Sequence, residues 1–384
     1  MPNPSTLSPS NALIIGGGVI GLASAWRLAQ QGWQVTLCER YNAGSGASNA
    51  AAGMLAPQIE AEPGEEPLLP LLLAAQNAWP AFAAGLEAAS GRIIDYRRDG
   101  TLMAARDKDQ LAALKRQYAY LSERLQLDVT WLERDALLKR EPQLHQSVLG
   151  GFISPQDHQV DNRLLVKALL AACRNTGVTV REQCLITELL IENGVCTGAR
   201  ALEDTFQADA VLICGGAWSK LLRHFPASLR PLMRPVKGQM LALKQDKAAP
   251  LLRHVVWGEH IYLAPKSDGR LLVGATVEDI GFDENVTAGG LYQLIERAYQ
   301  LLPGILELPV VETWAGLRPG SLDDAPILGK TGIDGLFIAS GHYRNGILLT
   351  PLTAEAVPGL LSGAAASPLW ARYGLDRFKE LMAA

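Results

Sequence analysis

Apolar runs and the glycines that interrupt them divide the chain into elements. Ala12-Leu13-Ile14-Ile15 is a short apolar run that ends in Gly16-Gly17-Gly18. A helical stretch from Val19 to about Gln31 follows, with Gly32 placed to end it as a left-handed residue. Val35-Thr36-Leu37-Cys38 then reads as a second buried strand ending at Glu39, so a βαβ unit opens the chain.

Farther along, the period changes more than once. Leu111, Leu114, Tyr118, Leu121 and Leu125 recur at three and four within Lys108 to Gln126, which predicts an amphipathic, core-facing helix. A second helix is expected over Asp161 to Asn175, ending near Gly177. Val178 to Val180, Leu185 to Ile191 and Val195 to Ala201 read as strands, the last two joined by Asn193-Gly194, a type I′ hairpin signal. Ala210 to Ile213 is again a buried strand, running into Cys214-Gly215-Gly216. Strand-like runs follow at Met240 to Leu243, Ile261 to Ala264 and Leu271 to Val273, with one helix near Leu291 to Leu302. Leu336 to Ala339 is the last strand, and a final helix starts near Gly346. Gly44 to Gly53 is almost all small residues, which suits backbone running beside a flat ligand or a flexible surface loop. Glu60 to Pro67 reads as a solvent-exposed loop.

Strand-to-helix units at the start, middle and end imply a nucleotide-binding domain assembled from discontinuous pieces, with a second mixed α/β domain inserted twice. The expected pieces are 11–78, 148–220 and 313–365 for the first and 79–147 and 221–312 for the second, with tails at 1–10 and 366–384.

Composition narrows the function classes. The 384 residues suit two domains, and 48% hydrophobic against 19% charged residues excludes global disorder. Lys and Arg number 35 against 39 Asp and Glu with no like-charged block, so nucleic acid is excluded as the main partner. Cys38, Cys173, Cys184, Cys196 and Cys214 show no CxxC spacing and read as buried free thiols of a reducing compartment. Met1 to Asn11 lacks the features of a signal peptide, and no apolar run reaches the ~20 residues of a membrane helix, Leu68 to Ala75 being short and broken by Pro70. The expectation is a soluble, cytoplasmic protein. The six histidines lack metal-binding spacing, so no metal is expected.

Gly16-x-Gly18-x-x-Gly21 carries the first chemistry. Gly16 allows the tight turn, Gly18 lets backbone approach a pyrophosphate, and Gly21 permits close helix–strand packing, while the helix N-terminus offers N–H groups to the anion. Glu39 stands about 20 positions on, where a carboxylate accepts ribose hydroxyls and repels a 2′-phosphate. FAD and NAD both fit that fingerprint. The later glycine-bearing strand ends favour FAD, because Gly341 to Gly346 can aim helix N–H groups at the pyrimidine edge of a flavin.

Several longer blocks then resemble one family. Ala50-Ala51-Ala52-Gly53-Met54, Cys214-Gly215-Gly216-Ala217-Trp218, Pro235-Val236-Lys237-Gly238-Gln239, Trp314-Ala315-Gly316-Leu317-Arg318-Pro319-Gly320 and Gly341-His342-Tyr343-Arg344-Asn345-Gly346-Ile347-Leu348 look like the glycine oxidase branch of the FAD-dependent D-amino acid oxidase superfamily. The resemblance runs from about Ala12 to Pro351 and implies a Rossmann-like FAD-binding domain interleaved with a mixed α/β substrate domain. It implies oxidative deamination of glycine, sarcosine or small D-amino acids by hydride transfer to flavin. Dioxygen is then reduced to hydrogen peroxide, and the imine hydrolyses to an oxo acid and ammonia. Passing electrons to a quinone or carrier instead, as a dehydrogenase, and a non-catalytic FAD-binding protein are the other readings.

Carried over residue by residue, the resemblance assigns the substrate carboxylate to Arg318 and Tyr262 and a second arginine at the flavin and substrate site to Arg344. For the cofactor it implies Gly16, Gly18, Val19, Ile20, Gly21, Glu39 and Arg40, then Ala47, Ser48, Ala52, Gly53 and Met54. Leu185 and Gly215 follow, and finally His342, Tyr343, Arg344, Asn345, Gly346, Ile347 and Leu348. Val277 stands where glycine oxidases can carry methionine, which implies a roomier pocket. With no cysteine after Cys214, the flavin tether of related sarcosine oxidases is absent and FAD is expected to dissociate. Family members are commonly homotetramers and serve thiamine biosynthesis.

Overall fold

The computed structural model describes residues 10–378; of the tails expected at 1–10 and 366–384, residues 1–9 and 379–384 lie outside the described residues. A six-stranded sheet has the order Ile327–Lys330, Leu336–Ser340, Ala210–Ile213, Asn11–Ile15, Gln34–Cys38, Thr179–Arg181. Its strands run parallel except for Ile327–Lys330, which lies antiparallel to Leu336–Ser340. Alternation along the central strand explains the layers: Ala12 and Ile14 face one core, Leu13 and Ile15 the other. Helices Val19–Gln30, Leu69–Ser90, Asn162–Asn175 and Gly346–Leu361 cover the first face. The second face is covered by an antiparallel meander, Glu188–Glu192, Val195–Arg200 and Thr205–Gln207, in place of the further helices of a doubly wound sheet. Its hairpin has the expected turn, with Asn193 at φ 52° and Gly194 at φ 82°.

An eight-stranded sheet forms the second layer system. Its order is Val310–Ser321, Met233–Lys244, Arg270–Gly274, Ile261–Pro265, Val255–Gly258, Thr101–Ala105, Gly150–Ser154, Thr130–Glu133. This corrects two expected boundaries. Gly150–Ser154 pairs with Thr101–Ala105 and Thr130–Glu133 rather than joining the six-stranded sheet, and the residues from 313 to 321 continue a strand paired along Met233–Lys244. Main-chain pairing partners far apart in sequence decide both points. Residues 366–378 were expected as tail, yet Trp370, Tyr373, Leu375 and Phe378 are buried in the cores that flank the six-stranded sheet. Among the described residues no helix is long and apolar enough to cross a membrane, and Leu68 to Ala75 is the start of the helix Leu69–Ser90.

Candidate active site

Four strand ends open into one cleft of about 1430 Å³ between the two sheets. Gly16 follows Asn11–Ile15, Glu39 follows Gln34–Cys38, Gly215 lies just beyond Ala210–Ile213, and His342 beyond Leu336–Ser340. All are carboxyl ends of parallel strands, where open α/β sheets place their ligands. A Cβ at Gly16 would lie 2.5 Å from the Cys214 carbonyl oxygen, so only glycine closes this turn. Gly21 sits behind the cleft, where a Cβ would meet the Gly16 carbonyl at 2.0 Å; its part is helix–strand packing. Gly18, Val19 and Ile20 border the cleft at the helix N-terminus.

The small-residue segment is part of the wall. Gly44 (φ 78°) and Gly53 (φ 77°) bend it, and Ser48 Oγ accepts the Val19 N–H at 3.0 Å. Asn162 Nδ2 donates to the Ser48 and Asn49 carbonyls, and Trp314 Nε1 to the Ala50 carbonyl. Ala47, Ser48, Ala52, Gly53 and Met54 therefore border the cleft from a fixed segment, not a flexible loop. Glu39 accepts the Gly17 and Tyr41 N–H groups, and the Arg40 guanidinium lies 3.7 Å from the Trp218 ring centre. Leu185 lies outside the strand expected to begin there and borders the cleft half exposed.

The eight-stranded sheet supplies the opposite wall. Arg318, Gly238, Gly274 and Tyr262 come from four adjacent strands, and all border the cleft. Arg318 Nη1 donates to the Lys237 and Thr276 carbonyls at 3.3 and 3.2 Å. A Cβ on Gly238 would fall 2.5 Å from that nitrogen, and one on Gly274 would fall 2.5 Å from the Tyr262 hydroxyl oxygen. The two side chains thus lie over glycines of neighbouring strands on the same wall, near enough for the Arg318 charge to act on the Tyr262 phenol. Tyr262 donates to Met240 Sδ at 3.2 Å, and burial pushes its phenol up to about 12, so it remains a donor. Val277, where a smaller side chain than methionine was expected, borders the cleft and is 67% exposed.

The second arginine expected at the substrate site is held differently. Arg344 borders the cleft, but its Nη2 donates to Glu65 at 2.9 and 2.8 Å, and its Nε lies 3.4 Å from Glu60 Oε2. Glu60 was expected in an exposed loop; it faces the cleft instead, because Asp157 accepts the N–H groups of Gln58 and Ile59 and folds the segment inward. His342, Tyr343, Gly346 and Ile347 border the cleft with Arg344. Asn345 and Leu348 do not: Leu348 is buried in the helix-side core, and its carbonyl accepts from Trp79 Nε1. His342 bonds Thr353 Oγ1, and burial lowers its ring to about 3, so it stands neutral and weakly basic near neutrality. All five cysteines are free and buried, and burial raises Cys38 and Cys214 well above the usual thiol range.

Gly238 and Gly274 were not singled out from sequence, although glycine inside a strand pattern signals close approach by another group. Trp257 Nε1 and Ser219 Oγ, both of residues bordering the cleft, are buried with no hydrogen-bond partner among the described residues. A glycine-floored crevice, two unpartnered donors and a volume beyond the 300–1,000 Å³ of ordinary ligand pockets fit a dinucleotide together with a small substrate.

Comparison with known proteins agrees. The family described as FAD dependent oxidoreductase matches residues 11–358. A glycine oxidase of Geobacillus kaustophilus is 36% identical over 354 residues, covering 91% of this chain and 92% of that protein. A crystal structure of glycine oxidase from that organism superposes with a TM-score of 0.88 at 35% identity, covering 95% of this chain and 98% of that one. A bifunctional ThiO/ThiG protein of Synechocystis is 37% identical over 376 residues, covering 96% of this chain but 54% of that protein. The chain spans about half the length of that relative and of two others of the same name. Matched over most of its length, the chain belongs to the FAD-dependent oxidoreductase (DAO) family.

Proposed function

We propose that this chain is an FAD-dependent amino acid oxidase acting on glycine, sarcosine or small D-amino acids. The observation that carries the reading is the pair Arg318 and Tyr262, laid over Gly238 and Gly274 on one wall of the cleft. A guanidinium and a phenol side by side are donors for one carboxylate, and together they fix its position and orientation. Holding the acid group at two points fixes where the α-carbon sits, which converts binding into alignment. The glycine oxidase relatives support an α-amino acid as the bearer of that carboxylate.

On this reading the nucleotide domain comprises the pieces that build the six-stranded sheet and its helices, and the eight-stranded sheet belongs to the substrate domain. Gly16, Gly18 and the N-terminus of Val19–Gln30 would hold the pyrophosphate, Glu39 the ribose hydroxyls, and the turn at Gly346 the flavin end. Bound FAD supplies a two-electron acceptor that dioxygen reoxidises with release of hydrogen peroxide. The buried, protonated thiols of Cys38 and Cys214 support non-covalent FAD, which acid denaturation would release as a free yellow chromophore. The proposal includes a cytoplasmic homotetramer, supported by the family resemblance alone and tested by light scattering, and a part in thiamine biosynthesis, in keeping with the name of the ThiO/ThiG relatives.

Mixing the purified yellow protein anaerobically with glycine, sarcosine or D-alanine tests the activity. The flavin is expected to bleach, and under air peroxide is expected to accumulate. Flavin that stays oxidised overturns the reading, and rapid bleaching with negligible oxygen uptake replaces it with a dehydrogenase. Arg318→Ala is expected to raise KM about 100-fold while the protein stays yellow, as for loss of a charge-assisted contact.

A further inference from the structure

Glu60 is a carboxylate with acceptor capacity to spare. Its side chain is 18% exposed, yet among the described residues nothing donates it a hydrogen bond, and its nearest cation is Arg344 Nε at 3.4 Å. Arg344 directs its Nη2 to both carboxylate oxygens of Glu65 instead, at 2.9 and 2.8 Å. A largely buried carboxylate left this way needs a donor from outside the chain.

Other carboxylates on the cleft are committed or exposed. Glu39 accepts from the Gly17 and Tyr41 N–H groups, and Glu278 from Gln239 and the Thr276 hydroxyl. Glu62 and Glu284 are exposed. Glu60 is also fixed in place. Asp157 accepts the Gln58 and Ile59 N–H groups at 3.2 and 2.7 Å and Gln76 Nε2 at 2.9 Å, so the backbone leading to Glu60 is pinned from below.

We propose that Glu60 is the acceptor for the α-ammonium group of the substrate and takes its proton before the α-carbon is oxidised. This rests on the amino acid oxidase reading above. Arg318 and Tyr262 offer donors to the carboxylate, and Glu60, close enough to interact electrostatically with both, offers the acceptor that an ammonium needs. A hydride does not leave a carbon whose nitrogen still carries its full charge. In the step assigned here, an N–H bond breaks with its electron pair staying on nitrogen, and the proton forms an O–H bond on the Glu60 carboxylate. The freed lone pair then supports loss of the hydride.

The surroundings suit Glu60 to that task. Arg344 faces it from the C-terminal turn, Arg318 and Tyr262 from the eight-stranded sheet, Asp157 from below, and Glu65 along its own segment. Burial pushes its carboxyl up to about 7, with Arg344 and Arg318 pulling down and Asp157 and Glu65 pushing up. A base poised near neutrality takes a proton from an ammonium more readily than an ordinary carboxylate does.

Anaerobic flavin reduction by glycine or D-alanine, followed from about pH 6 to about pH 10, tests the assignment. Wild-type protein is expected to speed up through an inflection near neutrality. Glu60→Gln is expected to be about 100-fold slower at neutral pH, and to recover at high pH, where the amine arrives deprotonated. Glu65→Gln, which removes an Arg344 partner but leaves the acceptor, is expected to keep the wild-type inflection. A Glu60→Gln profile parallel to wild type, or an equal change in Glu65→Gln, overturns the assignment alone. Wild-type flavin that no amino acid reduces overturns the oxidase reading with it. A second readout needs no turnover: 2-aminoisobutyrate has no α-hydrogen to lose. At about pH 6 its binding to wild type is expected to release close to one proton as Glu60 ionises to meet the ammonium, by calorimetry in two buffers, and none from Glu60→Gln. Equal proton release from the two proteins also overturns it.

Discussion

Tyr262 and Arg318 are placed by what their neighbours lack. A Cβ at Gly274 would stand 2.4 Å from Met240 Sδ and 2.5 Å from the Tyr262 hydroxyl oxygen; one at Gly238 would stand 2.5 Å from Arg318 Nη1. Met240 Sδ lies near the end of a flexible thioether side chain and can yield, whereas a buried tyrosine ring has less room to shift. Gly274→Ala and Gly238→Ala are therefore expected to weaken binding of a carboxylate ligand such as acetate about 10-fold each, the cost of about one lost hydrogen bond. FAD content should stay unchanged, and titration by flavin absorbance measures both. His342 sets a pH limit by the same logic of position. Burial lowers its ring from 6.5 to about 3, so between those values the unfolded chain binds a proton that the folded chain refuses. Stability contributed by the neutral ring is lost as pH falls through that window, at up to about 1.4 kcal/mol per pH unit. His342→Gln should narrow the gap between melting temperatures at about pH 7 and about pH 5.

Helix Val19–Gln30 shows how one element depends on another. Its own N-cap position is Gly18, without a side chain to accept, and the acceptor for Val19 N–H is Ser48 from the small-residue segment. Asn162, at the start of another helix, fixes that segment through the Ser48 and Asn49 carbonyls. Ser48→Ala is expected to cost about 1 kcal/mol, as for loss of an N-cap, and to lower the melting temperature of flavin-free protein by about 2 °C in calorimetry. Elements specified by nearby residues were legible in the sequence. The Gly16–Gly21 turn, the Asn193-Gly194 hairpin and the Asp161-capped helix all follow from local backbone demands. Elements specified from afar were not. Gly150–Ser154 joins the second sheet through partners with no local mark, and Leu69–Ser90 hides behind Pro70 and Pro80, one of them in its first turn. Glu60 sits in a Pro- and Glu-rich stretch whose composition reads as solvent-exposed; only the carboxylate of Asp157, distant in sequence, turns it inward.

At the scale of the molecule, the cleft is the seam between the two sheets, and few polar groups cross it. Lys266 is buried and donates to the Val160 carbonyl at 2.9 Å and Gln159 Oε1 at 3.0 Å; burial lowers its amine to about 8. Arg270 pairs with Asp161, Arg163 with Glu312, and Trp314 bonds Ala50. Much of the remaining seam is cavity wall. A ligand that touches both walls therefore binds the folded arrangement and not the unfolded chain, and at 100 times its dissociation constant it adds about 2.7 kcal/mol to stability. Removing FAD is expected to lower the melting temperature, which should then rise with added FAD. Hydrogen exchange locates the effect: on flavin binding, protection should increase both at the Gly16 turn and along Met233–Lys244, on opposite walls. Protection confined to the Gly16 side would mean that the cofactor serves the nucleotide domain alone. In that case the substrate wall would owe its geometry only to Gly238, Gly274 and the few cross-links.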